Sequence, residues 1–499
     1  MERSGPLMSI VVAVAVLTAC TTVGPDYEQP EVQMPDSWHT AAIDGLEDGE
    51  ADLQTWWRVF DDPLLDELVL RSADGNFNLR EAMWKVEEAR ALRGVVAGAQ
   101  KPQVDFSGEA GRSQPSDNGA LGNLAPADGF DAGNLFSAGF GAVWEIDVFG
   151  RIQRQVEAAD ATTQATVEAY RDVLVSLYAE TALAYITVRT SQERLRISHA
   201  NVEGQENTLK LTEDRFAAGL VSALDVAQAE SNLANTYSLI PVIERDLDRA
   251  MNRLAVLLGE HPGALHEKLA TEASIPTEPS DVILGLPAEL LRQRPDVRQA
   301  ERELAAQTAR IGVATADLYP TFGLSGFLGV EAVSGGDLLD GDSVTWGIGL
   351  PIRWNIFAGG RIRSQIQAEE ARTQQLLANY EQTVLIALEE SENAMVAYEK
   401  EVQRRARLNQ SVDATQRSLD LVLTQYTAGL TDFQNVLDTQ RTLLVREDEL
   451  AVAEGIVISN LVQLYRALGG GWDPDAPPSI VPVAEDEKVA RAEALGASS

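Results

Sequence analysis

The stretch Phe216-Ala217-Ala218-Gly219-Leu220 recurs 210 residues later as Tyr426-Thr427-Ala428-Gly429-Leu430. In both copies an aromatic residue is followed, three positions on, by a glycine and then a leucine. A glycine in this setting is typical of a helix that ends in a left-handed turn. The two stretches therefore predict two helices that each stop at a tight turn before the chain reverses.

The repeat extends beyond these turns and divides most of the chain into two similar halves. Positions correspond at an offset of 210 around the turns and at an offset of 218 farther upstream. A difference of eight residues therefore lies between 103 and 143, and a longer surface loop between paired strands explains it at low cost. The corresponding pairs include Trp144 and Trp354, Gly150-Arg151 and Gly360-Arg361, Asp225-Val226 and Asn435-Val436, and, at the larger offset, Leu79-Arg80 and Val297-Arg298.

Each half contains one very long helix, predicted over 150–218 and 360–428, and a return helix, predicted over 222–258 and 432–468. Apolar residues in the long helices recur with a period of 3.5, which indicates left-handed supercoiling. No proline interrupts either long helix. A helix of about 65 residues is about 100 Å long, so these helices must pack against each other. The period alone leaves a plain coiled-coil rod open.

Strict alternation of apolar with small or polar residues precedes each long helix, over strand pairs predicted at 103–146 and 321–354. Segments of about ten residues with one apolar face, joined by loops rich in Gly and Asp, match transmembrane barrel strands. Because the smallest barrels have about eight strands, four strands meet lipid only if the chain oligomerises. Two soluble hairpins that cap a helical rod are the alternative. The apolar positions include Val104, Phe106, Phe136, Phe140, Trp144, Phe322, Leu324, Leu328, Val344, Trp346, Ile348, Leu350, Ile352 and Trp354.

Composition narrows the possible functions. The 499 residues include 40 Lys and Arg against 76 Asp and Glu, a net charge of −36 that argues against nucleic-acid binding. A single cysteine excludes an internal disulfide framework. His261 and His266 lack the spacing of a helical metal-ligand pair. We therefore expect no metal site and no catalytic residue.

The N-terminus has the three parts of a secretory signal, predicted over 1–19. Arg3 precedes an apolar run from Leu7 to Leu17, and the run ends in Leu17-Thr18-Ala19-Cys20. The position of Cys20 after small residues resembles a bacterial lipobox, in which the cysteine is lipidated and becomes the mature N-terminus. An ordinary buried thiol after an ordinary signal is the alternative.

Five ordered motifs then resemble one family along nearly the whole chain. The motifs are Val23-Gly24-Pro25-Asp26-Tyr27, Trp56-Trp57-Arg58-Val59-Phe60-Asp61-Asp62-Pro63, Trp144-Glu145-Ile146-Asp147-Val148-Phe149-Gly150-Arg151, Trp354-Asn355-Ile356-Phe357-Ala358-Gly359-Gly360-Arg361 and Arg292-Gln293-Arg294-Pro295-Asp296-Val297. Together they resemble the TolC superfamily of outer-membrane factors. The resemblance is stronger to its lipoprotein branch, the OprM/NodT-like partners of resistance-nodulation-division (RND) efflux pumps.

The resemblance implies a mixed fold that combines all-α and membrane β-barrel parts. In it, a homotrimer closes a twelve-stranded outer-membrane barrel that continues as a twelve-helix periplasmic α-barrel, with two structural repeats per chain. It implies the exit duct of a tripartite efflux system for drugs or other small molecules. The implied partners are a periplasmic adaptor (membrane fusion) protein, an inner-membrane RND-type transporter and outer-membrane lipid. No cofactor is implied beyond a covalent lipid, N-acyl and S-diacylglycerol, on Cys20.

The functional positions that the resemblance implies lie at the two turns. There the helical hairpins would meet the adaptor, and a helix start is expected at Ser222 with Asp225 and at Thr431 with Gln434. A plain helical hairpin also needs such turns, which is the simpler interpretation. The implied contact residues are Gly219, Leu220, Ser222, Gly429, Leu430 and Thr431.

A gate is implied just beyond the second turn. Asp438 matches the family segment whose carboxylates constrict the periplasmic mouth, and Asn435 and Gln434 belong to the same segment. In a trimer, three copies of Asp438 would form an anionic ring that attracts cations. Asn435 stands where some relatives have Asp, which leaves open whether one or two acidic rings form. A solvated helix face is the alternative.

These expectations divide the chain into successive segments. The segments are a signal peptide (1–19), a lipidated N-terminal segment (20–75), the first repeat (76–258), an equatorial linker (259–293), the second repeat (294–472) and an acidic flexible tail (473–499).

Two other functions compete with the efflux duct. One is a TolC-like duct for type I protein secretion, and the other is a structural periplasmic coiled-coil lipoprotein without a pore.

Overall fold

The structure is a computed structural model that describes residues 22–32, 35, 37–39, 46–48, 53–116, 118, 131–279, 282–284, 291–474 and 476. The predicted signal peptide at 1–19, the lipidation residue Cys20 and residues 477–499 of the predicted tail lie outside the described residues. None of the helices in the described ranges combines the length and apolar composition that a bilayer crossing requires.

The described part of the chain is mostly helical and contains two groups of strands. A 3₁₀ turn at Trp56–Phe60 precedes the first helix. In chain order the elements are β1 (Leu46–Asp48), α1 (Pro63–Gly75), α2 (Phe77–Gly98), β2 (Gln103–Ser113), β3 (Gly133–Ile146), α3 (Arg151–Ala217), α4 (Ala223–Leu257), α5 (His266–Leu269), β4 (Val282–Leu284), α6 (Pro295–Ala316), β5 (Thr321–Ala332), β6 (Val344–Gly349), β7 (Ile352–Arg353), α7 (Arg361–Thr427) and α8 (Phe433–Ala467).

One compact unit comprises the described residues up to Glu31 and those within Glu87–Thr166 and Ala300–Tyr380, and it contains an antiparallel sheet in the order β2-β3-β5-β6. The register places Phe106 opposite Phe140, Phe140 opposite Leu328, and Leu328 opposite Trp346. Side chains directly opposite each other in a sheet share a face. One row of large apolar residues therefore crosses all four strands on one side of the sheet.

The last strand of this sheet is interrupted, which corrects the continuous strand predicted up to 354. β6 ends at Gly349 and β7 resumes at Ile352, because Pro351 has no N–H to donate to the ladder. The register does not change across the gap, since Ser325 pairs with Gly349 and Thr321 with Arg353. We therefore treat β6 and β7 as one interrupted strand, which gives a four-stranded sheet.

The connections between paired strands differ in length. Residues 114–132 join β2 to β3, and residues 333–343 join β5 to β6. The first connection has 19 residues and the second has 11, a difference of eight. This difference equals the difference between the two repeat offsets in the sequence.

The other compact unit comprises the described residues within Val32–Val86 and Val167–Gln299 and those from Glu381 onward, and it contains the main hydrophobic core. The Trp56-Trp57 motif enters this core, where Trp56 stacks on Tyr465 at 5.5 Å between ring centres and Trp57 meets Tyr178 edge-on at 4.8 Å. Asp62 follows the motif and caps α1, because its side chain accepts from the backbone N–H groups of residues 64 and 65. The motif from Trp56 to Pro63 thus supplies two buried aromatic side chains to the core and the N-cap of α1.

Candidate functional site

The two left-handed turns predicted at Gly219 and Gly429 are present and have the same geometry. Both glycines have a φ of 73°. An L-residue pays roughly 1–2 kcal/mol to adopt this conformation, which glycine adopts freely. The Leu220 N–H donates to the Arg215 carbonyl at 2.9 Å, and the Leu430 N–H donates to the Gln425 carbonyl at 2.8 Å. These bonds satisfy carbonyls that a helix end otherwise leaves unpaired.

Each turn presents an apolar side chain to solvent. Leu220 is 65% exposed and Leu430 is 78% exposed. A single exposed leucine on a surface is ordinary. Here, however, the same residue is exposed at the same place in two turns of matching geometry.

The first turn has the predicted helix start. Helix α4 begins after Ser222, and the Asp225 carboxylate accepts from the Ser222 backbone N–H at 3.2 Å. This contact is one half of a capping box and satisfies a donor at the helix start.

The prediction that Thr431 caps the second return helix is wrong by one residue. The N-cap of α8 is Asp432, which corresponds to Ser222 at the offset of 210. The Thr431 hydroxyl instead accepts from the Asn435 side-chain amide at 2.8 Å. Threonine and aspartate are both good N-caps, so residue type could not separate them. The extended backbone of Asp432, with φ −80° and ψ 155°, decides the boundary.

Arg215 connects the two turns, and sequence reasoning did not single it out. Its guanidinium lies 4.7 Å from the centre of the Tyr426 ring, and its Nη1 donates to the Thr427 carbonyl at 2.8 Å. Tyr426 is buried and lies 5.3 Å from Phe433 between ring centres. The sequence does show that Arg215 is a basic residue in the last turn of α3. A positive charge there interacts favourably with the unpaired carbonyl groups at the helix end.

The three predicted gate residues share the exposed side of α8. Gln434, Asn435 and Asp438 are all exposed, whereas Val436 and Leu437 between them are buried. The Gln434 side-chain amide donates to the Asp438 carboxylate at 2.9 Å. The structure therefore places these polar groups together and away from the core of the hairpins.

Buried polar links hold α8 against the other helices beneath the turns, and these links also escaped sequence analysis. The Gln440 side-chain amide donates to the Thr208 hydroxyl at 2.8 Å, and Arg441 Nε donates to the Asn232 side chain at 2.9 Å. Gln440, Thr208 and Asn232 are all buried. A buried polar pair favours one register over others because a slip would leave its members unsatisfied.

The segment that follows Cys20 is held against the start of α3. The buried Arg154 guanidinium donates to the Val23 carbonyl at 3.1 Å, the Gly24 carbonyl at 3.3 Å and the Asp26 carboxylate at 2.6 Å. Gly24 has a φ of 90°, and a Cβ on it would lie 2.4 Å from the Gly312 Cα. Only glycine fits this crossing, which fixes the path of residues 23–26.

A metal centre finds no support in the described ranges, where no three His, Cys, Asp or Glu converge in a way that could hold a metal ion. His266, one of the histidines considered above, has its Nε2 3.3 Å from the Asp248 carboxylate.

Comparisons with known proteins identify the family to which this architecture belongs. The outer membrane efflux protein family matches residues 68–260 and 286–470. The pyoverdine export outer membrane protein OpmQ of Pseudomonas aeruginosa is 32% identical over 470 residues, with 94% of this chain and 97% of that protein covered. The toluene efflux pump outer membrane protein TtgF of Pseudomonas putida is 30% identical over 486 residues, with 93% and 97% covered. The solved structure of the outer-membrane channel OprN is 37% identical, covers 91% of this chain and 100% of its own, and has a TM-score of 0.84.

Two helical hairpins with linked turns, an antiparallel sheet and these similarities define an outer-membrane channel. The chain belongs to the outer membrane efflux protein family. It is a transport protein of the outer membrane and not an enzyme, and it serves as the exit duct of an efflux system.

Proposed function

We propose that three copies of this chain form one duct through the outer membrane. The observation that carries the proposal is the two-sided sheet. Phe106, Phe140, Trp346 and Ile348 are each more than half exposed on one side. Asp105 and Glu109 of β2 and Glu331 of β5 occupy alternate positions, whose side chains point to the other side. An apolar outer face opposite a side that carries charged and small residues is typical of strands that line a pore through lipid.

The two outer strands of the sheet support closure by further copies. Within the described part of one chain, β2 pairs only with β3, and β6 pairs only with β5. An unpaired strand edge cannot face hydrocarbon, because each unsatisfied backbone group costs several kcal/mol there. Three copies of a four-stranded sheet would make a closed twelve-stranded barrel with no free edge. The two pairs of helices per chain would continue it as a twelve-helix tunnel.

The proposed cargo is a small molecule. The Pseudomonas aeruginosa relative is named for pyoverdine export, and the Pseudomonas putida relative is named for a toluene efflux pump. These cargoes differ strongly in polarity, so we propose small-molecule export without assigning a compound. A duct for protein secretion is the second candidate within transport, and a coiled-coil tether without a pore is the third.

The two turns are proposed as the contact surface for a periplasmic adaptor, which would couple the duct to an inner-membrane RND-type transporter. Two observations support this: the exposed Leu220 and Leu430, and the shared glycine φ of 73° in the two turns. Photocrosslinking from Leu430 to a co-expressed adaptor tests the contact, with Asp337 in the β5–β6 connection as the matched control position. Crosslinks from Asp337 alone would contradict the proposal.

Gln434, Asn435 and Asp438 are proposed to line the mouth of the duct. Their side chains are exposed in one chain and are therefore available to face other copies. Three Asp438 carboxylates around one axis would give a cation-selective constriction. One acidic ring is proposed, since the neighbouring Asn435 carries no charge.

Planar-bilayer recording of the purified full chain tests the duct as a whole. We expect discrete single-channel steps and a trimer-sized band in mild detergent. A folded protein that inserts no conductance and sediments as a rod would support the tether instead. Restoration of small-molecule resistance, but not of protein secretion, in a strain that lacks its own channel would separate the two transport candidates.

A further inference from the structure

A cavity of about 450 Å³ opens between α3, α7, α8 and the start of α6. All of its lining residues belong to the compact unit that contains the main core. A volume of roughly 300–1,000 Å³ is typical of small-molecule sites. The two turns at Gly219 and Gly429 and the four-stranded sheet contribute no residue to it.

On one side of the cavity, the charged group Arg294 is already paired with other protein groups. Arg294 is buried and donates to the Ala467 carbonyl at 2.7 Å, to both oxygens of Asp296 at 3.0 and 2.7 Å, and to Glu390 at 2.6 Å. Its donors are thus directed at protein groups, and its charge is shared by two carboxylates. Arg294 therefore anchors the start of α6 to the end of α8 and is not available to a ligand.

Two charged groups of opposite sign remain in the same cavity. Within the described part of the chain, neither the Asp172 carboxylate nor the Arg466 guanidinium forms a hydrogen bond or an ion pair with another side chain. Burial raises the pKa of Asp172, and Asp296 and Glu390 raise it further, while Arg294 and Arg466 lower it. A half-buried carboxylate without a partner is costly, and a bound cation would offset that cost.

The wall of the cavity also contains neutral polar side chains that are free to form hydrogen bonds to a ligand. Ser176 of α3, Asn393 of α7 and Gln463 of α8 line it, and their side chains make no hydrogen bond to other described residues. A few convergent polar groups in a concave site are what fixes the orientation of a small ligand.

We propose that this cavity binds a small zwitterion, with its ammonium group at Asp172 and its carboxylate at Arg466. An anion alone would be repelled, because the site holds three carboxylates, those of Asp172, Asp296 and Glu390, and only two guanidinium groups. Arg466 is exposed, so its guanidinium is open to a carboxylate, which a cation alone does not supply. A zwitterion supplies an opposite charge to both groups, and the Asn393 and Gln463 side-chain amides can hydrogen-bond to its charged ends. This site goes beyond the export duct and does not depend on it.

Isothermal titration of the detergent-solubilised full chain at pH 7 tests the proposal. The probes are glycine, 4-aminobutyrate and 6-aminohexanoate, which separate the two charges by increasing lengths. Methylammonium chloride and sodium acetate carry one charge each and serve as ligand controls. We expect saturable binding of at least one zwitterion and of neither control.

Variants locate the binding. Asp172→Asn and Arg466→Gln should each weaken the zwitterion at least tenfold, whereas Asp413→Asn and Arg417→Gln, at exposed positions of α7, should leave it unchanged. Acidification should weaken binding to the wild type as Asp172 is protonated, and Asp172→Asn should remove that dependence. Absence of zwitterion binding, binding by both cavity variants as tight as that of the wild type, or a side chain from a second copy seen inside the cavity would each overturn the proposal. Channel conductance of these variants is a separate readout that reports on the duct alone.

Discussion

Arg215 near the end of α3 lies with its guanidinium 4.7 Å from the centre of the Tyr426 ring near the end of α7. The same guanidinium donates to the carbonyl of Thr427, the last residue of α7. One side chain therefore both stacks on an aromatic ring and caps a helix end. It joins the two turns that we propose as the adaptor contact.

Arg215→Gln should loosen the second turn while the rest of the chain stays folded. The change removes a cation–π contact of about 0.5–2 kcal/mol and a hydrogen bond of about 1 kcal/mol. We expect amide hydrogen exchange over residues 427–430 to accelerate about tenfold. Arg417→Gln, at an exposed position of α7, is the matched control. Equal protection in both variants would show that Arg215 does not hold the turn.

Gly429→Ala should destabilise the second turn through its backbone alone. A Cβ at this position would meet only Arg215 Nη2, at an ordinary 3.9 Å, whereas the φ of 73° is strained for alanine. We expect a local cost of about 1 kcal/mol, and Gly429→Asn should cost less because asparagine tolerates this conformation. Gly219→Ala should behave in the same way.

Gly204→Ala is the control for Gly429→Ala and Gly219→Ala, and it should have the opposite effect on stability. Gly204 lies inside α3 and has no neighbour within 4 Å of a Cβ. Alanine should therefore stabilise the helix by about 0.5–1 kcal/mol. Urea unfolding and limited proteolysis of the turns measure both effects, and a gain in stability from Gly429→Ala would contradict the assignment.

Asp438→Ala should change the conductance if three copies of Asp438 surround the mouth. Removal of the acidic ring widens the constriction and weakens its field, so conductance should rise while cation preference and block by divalent cations should fall. Single-channel conductance and reversal potential across a salt gradient measure these quantities. Asp413→Ala, at an exposed position of α7, is the control. Unchanged values for Asp438→Ala would place it on a solvated outer face.

Cys20→Ala should abolish lipid attachment and leave a folded, membrane-inserted protein. The sheet exposes many large apolar side chains that do not depend on the lipid, and residues 23–26 remain fixed by Arg154. Metabolic labelling with palmitate, followed by flotation of membranes, distinguishes the two effects. A wild type that takes up no label would refute the lipobox interpretation.

Asp172→Asn should stabilise the ligand-free protein at neutral pH. Because the folded pKa of Asp172 is raised, the unfolded chain loses this proton first as the pH rises, and stability falls between the ordinary and the raised pKa. The penalty is full above the folded pKa and absent below the ordinary value, so the gain from asparagine should vanish in strong acid. Thermal unfolding against pH measures it, with Asp413→Asn as the control. A neutral-pH loss of stability in Asp172→Asn would contradict this sign.

Features that depend on residues close together in the chain could be predicted from the sequence. The left-handed glycines at 219 and 429, the alternating strands and the two uninterrupted long helices all follow from local sterics and periodicity. The family was also recognisable, because its motifs are short and contiguous. The helix start at Asp432 was misplaced because neighbouring Thr431 is an equally good cap.

Only the tertiary structure decided which distant residues meet. The register that sets Phe140 opposite Leu328, the contact of Arg215 with Tyr426, and the cavity that holds Asp172 and Arg466 each join parts of the chain far apart in sequence. A period of 3.5 or 2 states which face of an element is apolar but not which partner covers it. That choice depends on shape, polar satisfaction and register over the packed structure, which no local pattern encodes.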